Sequence, residues 1–129
     1  MGSYADDALF MSRNNIEYVE LISDDGKSKV MVIPAWQGRV MTTSAAGDEG
    51  DSYGWINYSF IKKRQIDLQF NPVGGEERFW LGPEGGVFSL YFRQGEKQIY
   101  KNWKVPPVLD IEAFKIQSQS KNCICLTKE

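Results

Sequence analysis

The sequence of 129 residues predicts an all-β fold, most simply an antiparallel β-sandwich with one or two short helices. Three observations support this prediction. Polar and apolar residues alternate in several short segments, turn-forming residues separate those segments, and aromatic residues, which favour strands, make up 13% of the chain. This length suits one hydrophobic core, so we expect residues 1–129 to form a single β-sandwich domain.

The chain begins with a predicted helix near Tyr4 to Arg13. Ser3 can cap this helix, because a serine hydroxyl accepts a hydrogen bond from a free N–H group of the first turn. Asp6 and Asp7 follow in that turn, where carboxylates interact favourably with the positive end of the helix dipole. A short helix is therefore expected before the first strand.

The hydrophobic period changes to two after this helix. Residues 16–21 alternate and predict the first strand, and the sequence Asp-Asp-Gly-Lys at 24–27 predicts a turn. Residues 29–33 form a nearly continuous apolar run, which is typical of a strand covered on both faces. Pro34 interrupts the pattern, and residues 39–44 predict a third strand.

The second half of the chain is less regular. Residues 53–65 suggest an edge strand or a loop followed by a short helical piece. Residues 66–70 alternate and predict a strand, and residues 87–92 are apolar on both faces, which predicts a buried strand. Residues 112–118 and 123–127 are expected to pair as a terminal hairpin.

Composition excludes several kinds of function. The sequence contains no histidine, so this chain cannot use Ser-His or Cys-His catalysis or a histidine-ligated metal. Cys123 and Cys125 are expected to be buried core thiols rather than metal or redox groups. The acidic loop at 48–51 lacks the ordered ligand spacing of a calcium loop, so no metal and no cofactor are predicted.

Charge and hydropathy also limit the partners. The net charge is −2, and the lysines and arginines are scattered, so nucleic acid is not an expected partner. No apolar run approaches the roughly 20 residues that span a bilayer. The first three residues lack the pattern of a signal peptide, and they leave the compartment undecided.

The run of residues 74–86 is the best candidate for a functional site. It contains three acids, an arginine, a tryptophan and five glycines, a composition that suits a polar ligand better than a core. The candidate ligand-binding residues are Glu76, Arg78, Trp80 and Glu84. On an extended backbone, alternation places Glu76, Arg78 and Trp80 on one face, where they would line a concavity.

Each candidate also has a structural interpretation. Arg78 offers rigid donors for sugar hydroxyls or a carboxylate, but it can equally form an internal salt bridge with a glutamate of the same run. Trp36, Trp55 and Trp80 are suited to stack on a sugar ring, and they are also suited to fill a core. We favour the core for Trp36, and Trp80 remains open between the two roles.

Three segments of the sequence together resemble a known family, namely residues 32–42, 53–57 and 74–86. They are similar to uncharacterised bacterial proteins whose fold resembles galactose mutarotase, the aldose 1-epimerase β-supersandwich. The resemblance runs from about residue 4 to the C-terminus and implies the N-terminal portion of a longer domain. It also implies carbohydrate binding or processing, and export to the periplasm or the medium.

The resemblance does not supply a complete active site. Aldose epimerases use a histidine acid and a glutamate base, and neither can be assigned here, so the chain is not expected to be catalytic by itself. Arg78 resembles the arginine that epimerases place on the sugar hydroxyls. The expected partners are a saccharide and a second copy of the chain, because a shortened supersandwich would expose sheet edges.

Two other functions remain open at this point. The chain is interpreted alternatively as a non-catalytic structural or interaction module, in which the charges near Arg78 only bridge a loop. A less favoured alternative is a glycoside hydrolase that uses Glu76 and Glu84 as its carboxylate pair.

Overall fold

The structure is a computed structural model that describes residues 2–129, and within them the fold is mainly β. Five strands form two antiparallel sheets, accompanied by three short α-helices. The helices are α1 (Tyr4–Arg13), α2 (Tyr58–Lys62) and α3 (Pro107–Asp110), and the strands are β1 (Val19–Ile22), β2 (Lys29–Ile33), β3 (Arg39–Ser44), β4 (Lys115–Gln119) and β5 (Ile124–Thr127).

The larger sheet is a meander in the order β1-β2-β3, which confirms the three predicted N-terminal strands. Val19 pairs with Val32 across the first two strands, and Met31 pairs with Thr42 across the second and third. One face of the sheet packs on α1, where Tyr4 and Met11 are fully buried with Met31 and other residues of the sheet. This contact forms the main core.

The cap of α1 is the one that the sequence predicts. The backbone N–H of Asp6 donates to Ser3 Oγ at 3.2 Å, and the backbone N–H of Ser3 donates to Asp6 Oδ2 at 3.1 Å. This reciprocal pair is a capping box, and it satisfies donors at the helix N-terminus that have no partner inside the helix.

The smaller sheet is the predicted terminal hairpin of β4 and β5. It is joined to the meander by backbone bonds, including Ile22 N to Lys121 O at 2.8 Å and Phe114 N to Pro34 O at 2.9 Å. The prediction of buried thiols was wrong, because Cys123 and Cys125 are both exposed. Alternation along β5 turns the more buried Ile124 and Leu126 away from the thiols.

Two predicted strands are irregular segments in the structure. Residues 66–70 form a bend in which the Asp67 N–H donates to Asn71 Oδ1 at 2.8 Å and the Gln69 N–H donates to Asp67 Oδ1 at 2.7 Å. Such local bonds give the backbone an alternative to a sheet ladder. Residues 87–92 also lack a ladder, and Val87 is 88% exposed rather than buried.

The structure has three α-helices where the sequence predicted one or two. The additional helix is α3, which starts at Pro107. Two consecutive prolines at 106–107 do not prevent this helix, because a proline at the first helical position lacks only an N–H that would be unpaired there anyway. The two sheets agree with a mainly β fold, while the sandwich and supersandwich arrangements stay predictions.

A second, smaller core cluster lies in the irregular half of the chain. Tyr91, Val105 and Leu109 are each about 99% buried, and the rings of Trp80 and Trp103 pack against them. This cluster holds α3 against the segment that follows the meander. It therefore fixes the position of Asp110, the last residue of α3.

Candidate functional site

Two arginines and one carboxylate form a buried charge cluster between the two cores. Arg78 Nη2 lies 3.2 Å from Asp110 Oδ1, and Arg39 Nη2 lies 3.9 Å from the same oxygen. The side chain of Asp110 is 1% exposed, that of Arg39 4% and that of Arg78 19%. Because two cations share one carboxylate, the cluster carries an excess of positive charge.

Asp110 is held in place by Asn71. The backbone N–H of Asn71 donates to Asp110 Oδ2 at 2.7 Å, and Asn71 Nδ2 donates to the same oxygen at 2.8 Å. Arg78 adds a bond to Oδ1 and another to the carbonyl oxygen of Leu109. Both oxygens of Asp110 therefore accept hydrogen bonds from this chain, and the carboxylate is fixed in orientation.

Arg39 is the more unusual member of the cluster. It is the first residue of β3, and alternation along the strand turns it inward with Met41. Its Nη1 donates to Gly74 O at 2.9 Å, but its buried Nε lacks a hydrogen-bond partner in the described structure. Burial and the neighbouring charge of Arg78 lower the pKa of Arg39 to about 10, and Asp110 opposes this shift.

The predicted residues Arg78, Trp80 and Glu84 do lie together. The Arg78 guanidinium stacks over the Trp80 ring at 4.4 Å from its centroid, and Trp80 Nε1 donates to Glu84 Oε1 at 2.7 Å. Glu76 lies apart from this chain of contacts, since its carboxylate accepts a bond from Thr43 Oγ1 at 3.0 Å on the meander. The salt-bridge partner of Arg78 is Asp110, not one of the three glutamates in the run.

Aromatic rings continue the stack that begins at Arg78. Trp80 stacks on Tyr91 with ring centroids 5.1 Å apart, Tyr91 stacks on Trp103 at 5.9 Å, and Trp103 stacks on Tyr100 at 6.1 Å. The Trp80 ring is thus in contact with a guanidinium and a phenol of this chain. These contacts within the chain occupy part of the Trp80 surface on which a sugar would stack.

A cleft of about 350 Å³ opens beside the charge cluster, at the junction of the meander, α2 and α3. Its walls are largely apolar and include Ile16, Trp36, Phe60 and Ile66. Trp36 is half-buried and packs against the main core, as expected, while it also lines the cleft.

Polar groups also line the same cleft. Arg39, Asn71 and Asp110 line it from the buried cluster, and Arg64 and Gln65 are exposed lining residues. An apolar cleft with a few fixed polar groups is the usual form of a small-molecule site. The lining therefore combines apolar walls with donors that a ligand with hydrogen-bond acceptors could use.

Sequence reasoning missed Arg39, Asn71 and Asp110. Residues 39–44 predict a strand, and the alternation of Arg39 with the apolar Met41 on it was a signal that Arg39 faces inward. Asn71 and Asp110 are brought together by tertiary structure, so no local pattern identifies them. Of the four predicted residues, Arg78 belongs to the charge cluster, and none of the four is among the lining residues of the cleft.

Two further findings concern metals and membranes. Within residues 2–129, histidine, cysteine, aspartate and glutamate form no group of three or more that could hold a metal ion. Over the same range, every helix is too short or too polar to cross a lipid bilayer.

Comparison with known proteins assigns the chain to a family. It belongs to DUF6786, a family of unknown function, whose model matches residues 2–129. No curated protein and no solved structure matches the chain. Membership of an uncharacterised family agrees with the sequence prediction, while the resemblance to galactose mutarotase stays a prediction.

Proposed function

We propose that this member of the DUF6786 family binds a saccharide in the cleft between the meander, α2 and α3. The observation that carries the proposal is the combination of an indole wall with fixed polar groups in one cleft of about 350 Å³. This volume is at the small end of the roughly 300–1,000 Å³ found for ligand sites, and it suits one or two sugar rings.

The chemistry of the lining supports a sugar over a purely apolar ligand. The C–H faces of a sugar ring can pack against the rings of Trp36 and Phe60, while its oxygens accept bonds from polar lining residues such as Arg39. Arg39 lines the cleft, its Nη1 donates to Gly74 O, and its Nη2 lies 3.9 Å from Asp110 Oδ1, beyond hydrogen-bond distance. This guanidinium therefore keeps donor capacity that a hydroxyl or ring oxygen of the ligand can use.

Binding is favoured over hydrolysis at this place. Asp110 is the one carboxylate among the described lining residues, and its two oxygens already accept bonds from Asn71 and Arg78. Glycoside hydrolases commonly use two carboxyl groups on either side of the bond that breaks. We therefore propose a binding module, which forms part of a mutarotase-like protein that processes or recognises carbohydrate outside the cytoplasm.

The residues Glu76, Arg78, Trp80 and Glu84 remain a second proposed place for the ligand. Trp80 and Glu84 are linked by a hydrogen bond, and Glu84 is exposed, so a saccharide could contact this edge of the molecule. The contacts of Arg78 with Asp110 and Trp80 favour the cleft instead. They also support the alternative of a structural module, in which the cluster only stabilises the fold.

Calorimetric titration with a panel of mono- and disaccharides tests the proposal. Ile66→Trp should obstruct the cleft, because Ile66 lines it and is 68% exposed, so the larger ring can be tolerated without loss of folding. Leu68→Trp is the matched control, since Leu68 is 67% exposed in the same segment but lies outside the cleft.

We expect a saccharide of the panel to bind the wild type with a Kd of about 1 mM or lower, which corresponds to about −4 kcal/mol or stronger. Ile66→Trp should weaken that binding at least tenfold, and Leu68→Trp should leave it unchanged. Equal effects of the two variants would exclude the cleft. Absence of binding to every saccharide would contradict the carbohydrate function and favour the structural module.

We also propose that two copies of the chain associate through the segment 81–100. Val87 and Phe88 are 88% and 83% exposed there, and Leu90 is 55% exposed. The accessible surface of 8242 Å² exceeds the roughly 6,900 Å² expected for a folded chain of this mass. The excess is larger than the roughly 800 Å² that each partner buries in a standard interface.

Light scattering at tens of micromolar tests this association. Wild type should have the mass of a dimer, and Phe88→Asp should have that of a monomer. Tyr53→Asp, which changes another exposed aromatic residue away from this segment, is the control and should remain dimeric. A wild-type monomer would contradict self-association and would leave this surface to another part of a longer mutarotase-like domain.

A further inference from the structure

The ionisable groups around the cleft have an excess of cations. Its lining includes the guanidinium groups of Arg39 and Arg64 and the single carboxylate of Asp110. Asp110 is already bonded to Asn71 and to Arg78, and Arg78 is a second buried cation just behind the lining. A ligand therefore meets more positive charge here than the protein itself neutralises.

Hydrogen-bond donors are also in excess. Asn71 Nδ2 is used by Asp110 and by Asp67 O, and Asn71 Oδ1 accepts from the Asp67 N–H. Within the described structure Arg39 has one hydrogen bond, from Nη1 to Gly74 O, and its Nη2 lies 3.9 Å from Asp110 Oδ1, beyond hydrogen-bond distance. The Arg39 guanidinium therefore has donor capacity that the described protein groups do not use, while both oxygens of Asp110 are already bonded.

We infer that the cleft selects an acidic saccharide, one whose carboxylate pairs with Arg39 and Arg64. A guanidinium binds a carboxylate through two parallel N–H bonds, and the side chains of Arg39 and Arg64 both line the cleft. An anion beside Arg39 would also offset the neighbouring charge of Arg78, which at present disfavours the charged form of Arg39. Arg64 is exposed, and it would attract the acid at the cleft entrance.

Matched pairs of neutral and acidic sugars test this selectivity. The inference rests on the proposed carbohydrate function, and the pairs are chosen so that a failure of the selectivity can be told apart from a failure of carbohydrate binding itself. Glucose is compared with glucuronate, and galactose with galacturonate, by calorimetric titration at low ionic strength. Each acid should bind at least tenfold more tightly than its neutral partner. Raising the salt concentration should weaken the binding of the acids more than that of the neutral sugars.

Variants of two exposed arginines identify the source of the preference. Arg64→Gln should reduce the preference for the acid, measured as the ratio of the Kd values of each neutral and acidic pair, at least threefold. Arg93→Gln is the control, because Arg93 is exposed and lies outside the cleft. Arg39→Lys keeps the buried charge but removes the paired donors, and it should reduce the preference further if circular dichroism shows the variant to be folded.

The outcomes are distinct. If neutral sugars and acids bind equally, the acidic selectivity is wrong while the carbohydrate function stands. If no sugar binds, both are wrong. Sodium acetate serves as an additional ligand, and acetate binding as tight as that of glucuronate would show a simple anion site and overturn the inference. An unchanged preference in Arg64→Gln and in folded Arg39→Lys would also overturn it.

Discussion

Replacing Asp110 by asparagine should destabilise the fold severely, because this carboxylate is the counter-charge of two buried arginines. Its side chain is 1% exposed, and it accepts bonds from Asn71 N at 2.7 Å, Asn71 Nδ2 at 2.8 Å and Arg78 Nη2 at 3.2 Å. Asparagine removes the charge and replaces one oxygen by an NH₂ group. That group cannot accept bonds from the donors it would face.

The magnitude follows from the burial of the cluster. Breaking a buried ion pair by removing one partner costs about 3–5 kcal/mol, because the remaining charge is left uncompensated. Here Arg78 and Arg39 would both lose their carboxylate, so we expect a loss in the upper part of that range. This loss is a large part of the about 5–15 kcal/mol that stabilises a typical domain. It should lower the melting temperature by roughly 10–20 °C.

Urea denaturation followed by tryptophan fluorescence measures this loss without adding salt. Asp24→Asn is the matched control, because Asp24 is fully exposed in its bridge to Lys121, and its free energy of unfolding should match the wild type within error. If Asp110→Asn were no less stable than Asp24→Asn, the buried cluster would not contribute to the fold, and its proposed electrostatics would be wrong.

Three other predictions test separate parts of the structure. Burial raises the pKa of Asp7 above its ordinary value of 3.8, so the protonated carboxyl stabilises the fold below pH 3.8, and this contribution is lost as the pH rises through the folded-state pKa. The free energies of unfolding of the wild type and Asp7→Asn are compared by urea denaturation. The difference should favour the wild type more at pH 3.5 than at pH 7. Gly54→Ala should cost about 1–3 kcal/mol, because the new Cβ would lie 2.0 Å from a backbone oxygen of β3, whereas Gly82→Ala meets open space and should cost far less. Cys123 and Cys125 should both react with a thiol reagent in the native state at close to the rate seen in urea, and protected thiols would contradict their exposed position.

Local signals predicted the regular half of the fold correctly. The serine cap and first-turn acids mark α1, and short strand-like runs separated by turn residues mark the meander and the hairpin, because these signals act within a few residues. The segments 66–70 and 87–92 have the same composition as strands but form no ladder in the structure. A strand needs a neighbouring strand, and the sequence of one segment does not show whether a partner is present.

The site was predictable only in part for the same reason. The contacts among Arg78, Trp80 and Glu84 link residues within one short run, where spacing is informative. The bond of Arg78 to Asp110 joins residues 32 positions apart, and the placement of Arg39 depends on how β3 packs. Periodicity showed that Arg39 alternates with Met41, but it did not show that a cleft lies beside it.

Perturbation of backbone and indole NMR signals by a saccharide is the most direct test of the central claim, that the ligand site is the cleft beside the buried charge cluster. Titration of the labelled protein with glucuronate should shift the indole signal of Trp36 and the amide signals of Ile66 and Asn71. The indole signal of Trp80, which is bonded to Glu84 outside the cleft, should stay unchanged. Shifts confined to Trp80 and the glycine-rich run, or no shifts at saturating sugar, would contradict the account.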